Sequence, residues 1–242
     1  MKIFKFGGAS INSIERIHNV GNIIQRYKGE KLLIIFSAMG KVTNELEKVA
    51  IAFYSGNQTE ALALFYQIKE MHLELALQLT KQPINELSNI FTEVEWLLHD
   101  KPVRDYDYYY DQIVCSGELL STAIISEYLN TANCKNQWID VRDILRTDDN
   151  FREANIDWDF TEQKVTEMIS PLFENTDIII TQGFIGATDE NESTTLGREG
   201  SDYSAAIFAN MLDAESQTIW KDVEGVMNAD PKLFPAAEII DT

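Results

Sequence analysis

The sequence predicts an α/β fold built on a largely parallel sheet. Two observations carry this. Short apolar runs of strand length alternate with segments of helical period, and Leu32–Phe36 is apolar at every position, as suits a strand covered on both faces. A third observation bears on function: small residues and hydroxyls gather just after each predicted strand, at the edge where open parallel sheets bind ligands.

The elements follow in order. Ile3, Phe4 and Phe6 make an opening strand that runs into Gly7 and Gly8. Ile14, Ile17, Val20 and Ile24 recur at helical spacing, with Asn12 or Ser13 as cap and Gly29 past the end. After Leu32–Phe36 come Ser37, Ala38, Met39 and Gly40, then a helix from about Asn44. Residues 57–99 hold two helical patterns either side of Pro83, a helical hairpin inserted into or capping the main domain. The tract Tyr106 to Tyr110 marks a helix entry with amphipathic rings at a layer edge, and that helix runs on through Leu129. Strands at Gln137–Val141, Asp177–Gln182 and Gln217–Trp220 are separated by helices at Thr161–Phe173 and Ser204–Leu212. The length of 242 residues suits one large domain or two small ones, and there is no internal repeat.

Charge excludes several function classes. The chain carries 20 Lys+Arg against 39 Asp+Glu, a net charge of −19 over 242 residues. That balance disfavours nucleic acid and anionic membrane surfaces, both of which recruit clustered cations. No apolar run reaches the roughly 18 residues of a membrane span. Cys115 and Cys134 cannot build a disulfide framework, and a reducing cytoplasm is the expected compartment. His18, His72 and His99 have no metal-ligand spacing. Cys115 precedes Ser116-Gly117-Glu118 near a helix start, although a small buried residue is the favoured reading.

What remains is a local positive cluster on an acidic chain. Lys5, Lys41, Arg198, Lys221 and Lys232 all lie beside predicted strand ends or their turns, where they offset the overall repulsion of an anion. The segment Leu196–Tyr203 leads into a helix. Its Gly200 permits close backbone approach, Ser201 or Asp202 can cap, and Arg198 can grip a carboxylate or phosphate. Nucleotide phosphates are the expected guest. The phosphate-loop, dinucleotide and nucleophile-elbow motifs are absent, so the cradle is of another design.

These residues, taken together, resemble the aspartate kinases of the amino acid kinase family. The matching segments, in order, are KFGGAS from Lys5, FSAMGKVTN from Phe36, SGELLS from Ser116, TQGFIG from Thr181, TLGREGSDY from Thr195 and WKDVEGV from Trp220, with ADPK ending at Lys232. The resemblance spans nearly the whole chain. It implies a three-layer αβα sandwich around a mostly parallel sheet of about eight strands. It implies that ATP and L-aspartate meet over the strand ends to give 4-phospho-L-aspartate and ADP, the step that opens lysine, threonine, methionine and isoleucine biosynthesis. Mg²⁺ is expected to be held through the nucleotide phosphates.

By the same resemblance, Lys5 reaches the transferring phosphate while Phe6, Gly7 and Gly8 offer backbone to it. Thr43 and Glu118 fall on the aspartate, Glu118 pairing with its α-ammonium. Arg198 holds the aspartate carboxylate, with Glu199, Gly200 and Ser201 in the same loop. Asp202 orients either the lysine or the ammonium. Lys221, Asp222, Met227 and Lys232 fall on nucleotide-binding positions. Three positions depart from the family pattern: Glu199 replaces a usual Gly, Lys221 a frequent Thr and Met227 a frequent aromatic. Family members usually continue past the equivalent of Thr242 into the rest of the kinase domain and paired ACT regulatory domains. The expectation is therefore a piece of a longer enzyme, or a form without feedback inhibition and without part of the nucleotide pocket. A homodimer is compatible with the resemblance.

The chemistry needs no general base, because a carboxylate with a pKa near 4 is already a nucleophile at neutral pH. Alignment and charge neutralisation are what the protein must supply. The alternatives are a kinase of the same fold for glutamate, acetylglutamate, carbamate or UMP, and a fragment that binds nucleotide without turnover.

Overall fold

A computed structural model describes residues 1–221, 225, 227–229 and 233–240. Its centre is a five-stranded sheet in the order β3-β4-β2-β1-β7, comprising β1 (Lys2–Phe6), β2 (Leu32–Phe36), β3 (Gln137–Trp138), β4 (Ile178–Gln182) and β7 (Ser216–Trp220). Every pair in it is parallel. Such strands cannot be joined by tight turns, so each connection crosses over through helices.

Helices cover both faces, which gives three layers. Phe4 and Phe6 point one way from β1. Phe4 meets Tyr27, just past α1 (Ile14–Gln25), at 4.7 Å between rings. In register with Phe6, Gln182 donates to Thr122 on α6 (Ser116–Thr131) at 2.7 Å. Alternation sends Lys5 to the opposite face, where it meets α9 (Gly200–Met211). On the first face the rings of Phe36, Phe6 and Trp220 stack across β2, β1 and β7 at 5.3 and 5.8 Å. All five residues of β2 are fully buried, as its unbroken apolar run requires.

The expected helical hairpin is present as α3 (Gln58–Thr80) and α4 (Asn85–His99), turning at Lys81 with φ of 61°. It caps the helical layer: α3 packs on α2 (Val42–Tyr54) and α6, and α4 also packs on α6. Ser13 is the cap of α1, accepting from the Arg16 N–H.

Several boundaries differ from the sequence reading. The helix expected through Leu129 divides at Cys115 into α5 (Tyr106–Val114) and α6. β3 stops at Trp138 because the Val141 N–H donates to the Gln182 side chain at 2.7 Å, while Asp140 caps a 3-10 turn over Val141–Asp143. The helix expected at Thr161–Phe173 starts earlier, as α7 (Trp158–Lys164), and continues through a π-turn, Val165–Ile169, into α8 (Ser170–Leu172). An unanticipated antiparallel pair, β5 (Ile185–Ala187) with β6 (Ser193–Thr195), stands outside the main sheet. The described residues therefore hold five strands in the central sheet rather than about eight, plus this pair. α9 begins at Gly200, so Ser201 and Asp202 lie inside its first turn instead of capping it. Cys115 and Cys134 are both free and buried.

Candidate functional site

Three turns converge at the carboxyl edge of the sheet. After β1, Gly8 passes so close to the next turn that a Cβ on it would lie 2.5 Å from the Ala38 carbonyl oxygen. The Gly40 N–H donates to the Gly8 carbonyl at 3.0 Å. After β4, the Gly183 N–H donates to the Phe36 carbonyl at 3.0 Å, and a Cβ on Gly183 would lie 2.8 Å from Ser201 Cβ. Glycine at 8 and 183 is what lets the turns and the start of α9 close together. Ser37, after β2, donates from its hydroxyl to Ser201 Oγ at 3.0 Å.

Lys5 projects from β1 into this junction and is nearly buried. Its ammonium lies 2.6 Å from Asp202 Oδ1, and Lys221 Nζ, just beyond β7, lies 3.4 Å from Asp202 Oδ2. Burial pushes the Asp202 carboxyl up, but Lys5 and then Lys221 outweigh it and hold the group below the usual carboxylate range. One aspartate thus brackets two ammonium groups, which cancels part of their mutual repulsion and fixes Lys5 in direction.

Glu118 lies in the first turn of α6 with 2% of its surface exposed. Its Oε1 accepts from the Ala38 N–H at 3.1 Å, while Oε2 is buried with no hydrogen-bond partner. Burial raises its pKa to about 8, against the opposing pull of the Ala38 N–H and of Lys5. A buried carboxylate oxygen without a donor costs free energy unless a ligand supplies one. Gly117, beside it, would place a Cβ 3.0 Å from the Ala38 and Leu46 side chains. That close approach packs the start of α6 against the start of α2, the helix whose first turn carries half-buried Thr43.

Arg198 occupies a neighbouring cleft of about 560 Å³ that Lys5 does not line; its walls include Tyr110, Arg152, Phe184 and Thr195. The two cations share one edge of the sheet, linked through the start of α9. Phe184, a wall of the Arg198 cleft, follows Gly183, and a Cβ on Gly200 would lie 2.7 Å from its ring. Glu199 takes the left-handed conformation, φ 57°, a backbone region that favours Gly. It is exposed, and its side chain makes no capping hydrogen bond. Met227 bridges to Ile239 beyond β7. Asp222 and Lys232 lie outside the described residues.

Two residues escaped the sequence reading. Asp111, fully buried in α5, accepts from the Arg152 N–H at 2.9 Å, the Thr195 N–H at 2.8 Å and the Thr195 hydroxyl at 2.7 Å. Burial raises its pKa to about 6. An aspartate between Tyr109 and Ile113, on the inward face of a helix, was the available signal. Arg152 left no such signal, because its place in the cleft depends on a loop fold. Of the unassigned groups, Cys115 is buried and burial pushes its thiol well up, while His72 is buried against the Ile68 carbonyl. Among the described residues no group of three His, Cys, Asp or Glu side chains is placed to hold a metal. No described helix is long and apolar enough to cross a membrane.

A parallel α/β sheet that gathers a lysine, glycine turns and a buried carboxylate over its strand ends has the position and the charge to hold a small ligand there. The chain belongs to the amino acid kinase family, whose model matches residues 1–242. It is 31% identical over 239 residues, 99% of this chain, to lysine-sensitive aspartokinase 3 of Escherichia coli, of which it covers 53%. It is 31% identical to aspartokinase 2 of Arabidopsis thaliana, covering 98% of this chain and 45% of that protein. Among solved structures, E. coli aspartokinase III in complex with aspartate and ADP superposes with a TM-score of 0.85 at 30% identity, covering 100% of this chain and 53% of that one. The chain thus spans about half the length of these relatives.

Proposed function

We propose that the chain is the catalytic portion of an aspartate kinase, which transfers the γ-phosphoryl group of ATP to the side-chain carboxylate of L-aspartate. The observation that carries this reading is Glu118. Its unpartnered oxygen is a ready acceptor for an ammonium group, and it sits beside a lysine aimed from β1. The resemblance of the chain to aspartokinases, one of them solved with aspartate and ADP, supports the same assignment.

In this reading Lys5 meets the charge that develops on the transferred phosphoryl group. Asp202 holds the lysine in place until phosphate arrives, and the amides of Gly7 and Gly8 take the adjoining oxygens. Glu118 and Thr43 anchor the amino end of the acceptor, and Arg198 takes a carboxylate. Gly200 and Ser201 keep the start of α9 close to the β2 and β4 turns, with Glu199 completing the loop. Phe6, Lys221, Asp222, Met227 and Lys232 serve the nucleotide. Mg²⁺ would arrive on the nucleotide phosphates and add cationic charge there. The setting is the cytoplasm, and a regulatory region belongs to the longer parent chain.

Coupled ADP-release assays test this directly. Turnover with L-aspartate, and none with glutamate, acetylglutamate, carbamate or UMP, is the expected result. Calorimetric binding of ATP without turnover on any of these acceptors would overturn it and leave a nucleotide-binding unit.

A further inference from the structure

The Arg198 cleft contains a second guanidinium that no sequence motif marks. Arg152 reaches it from the loop before α7, with its backbone at φ 71°, a region that L side chains enter reluctantly. The conformation is held from inside the protein. Asp111 accepts the Arg152 N–H and, from the opposite wall, both the N–H and the hydroxyl of Thr195. One buried carboxylate thereby ties the Arg152 loop to β6 and sets the width of the cleft.

The Arg152 side chain is poised rather than committed. Its guanidinium carbon lies 4.5 Å from the Tyr110 ring centre, and Nη1 lies 3.1 Å from Asp107 Oδ1. That ion pair is 43% and 55% exposed on its two sides, and pairs so wet contribute little. Arg198, in the same cleft, makes no ion pair with any described residue. A free guanidinium and a loosely paired one share a cavity of about 560 Å³ in a chain of net charge −19, and both suit bidentate contact with carboxylates.

We infer that Arg152 is a specificity-determining residue, supplying with Arg198 the second guanidinium that selects a dicarboxylic amino acid as acceptor. Asp107 pairs with the guanidinium at the place of one substrate carboxylate and is displaced on binding. This rests on the aspartate kinase reading above and adds the source of its selectivity.

The test uses the full chain and calorimetric titration with L-aspartate and L-asparagine, followed by steady-state kinetics. Arg152→Met is expected to weaken aspartate about tenfold or more, the scale of a lost charge-assisted contact, while asparagine binding and the KM for ATP stay within twofold. Arg152→Lys should recover part of the loss. Asp107→Asn should tighten aspartate several-fold by removing the competitor, a gain that damaged folding cannot produce. Unchanged aspartate affinity in Arg152→Met, or equal loss of aspartate and asparagine, overturns the inference. Failure of the unsubstituted chain to bind aspartate is a different result, and it overturns the kinase reading itself.

Discussion

Lys5 Nζ stands 2.6 Å from Asp202 Oδ1, and this contact ties the first strand of the chain to the first turn of α9. The lysine is nearly buried, so its orientation is set by the aspartate and not by solvent. In the proposed reaction a phosphoryl oxygen entering the junction would meet an ammonium already aimed at it, which is the preorganisation that electrostatic catalysis requires.

Lys5→Ala should therefore lower kcat by roughly 10²–10³, the scale for losing one transition-state donor. Steady-state assays with ATP and aspartate check this, and a near-normal kcat would contradict the role of the lysine.

Glu118→Gln should separate binding from stability. Losing the carboxylate that receives the ammonium should weaken aspartate by about 2–5 kcal/mol, the range for breaking a desolvated charge pair. Fold stability should move the other way. The folded-state pKa of about 8 lies above the ordinary 4.5, so the native protein binds the extra proton between these values. Its stability then falls as pH rises toward 8. Thermal denaturation at pH 9 should find the variant more stable than the parent, with the difference vanishing near pH 4.

Aspartate binding should release a proton. Below pH 8 the free protein carries Glu118 mostly protonated, whereas the ammonium requires the charged form. Affinity should therefore climb between pH 6 and 8, by at most about tenfold per unit, and level off above. Calorimetry in buffers of differing ionisation enthalpy reads the proton count, and a value of zero at pH 7 would argue against the pairing.

Asp111→Asn should destabilise the fold by about 1–3 kcal/mol, because an amide cannot accept all three hydrogen bonds and strands a buried donor. The parent carboxyl is raised from 3.8 to about 6 by burial, so its protonation stabilises the native state below pH 3.8 and that contribution is lost as pH rises through 6. Urea denaturation at pH 4 and pH 7 should show this slope in the parent and its loss in the variant.

Much of the candidate site was legible because its residues sit beside strands the sequence marks strongly. The apolar run of β2 fixed where Ser37 and Ala38 emerge, and the turn after β1 placed Gly7 and Gly8 opposite them. The start of α9 was misjudged, because Ser201 and Asp202 look like caps in sequence but point their side chains at Ser37 and Lys5. The short pair β5–β6 was missed because three-residue strands of Ser, Thr and Gly carry too little periodicity to register.

The sequence alone determined the parallel α/β plan, the helical pairing of α3 with α4 and the family to which the chain belongs, since apolar periodicity and motif order are written locally. The tertiary structure decided that Asp202 brackets two lysines, that Glu118 is buried with one oxygen unpartnered, and that Asp111 clamps a left-handed Arg152 beside Arg198. Each of these joins segments remote in the chain, and their energies arise from desolvation and charge proximity, which exist only once the chain has packed.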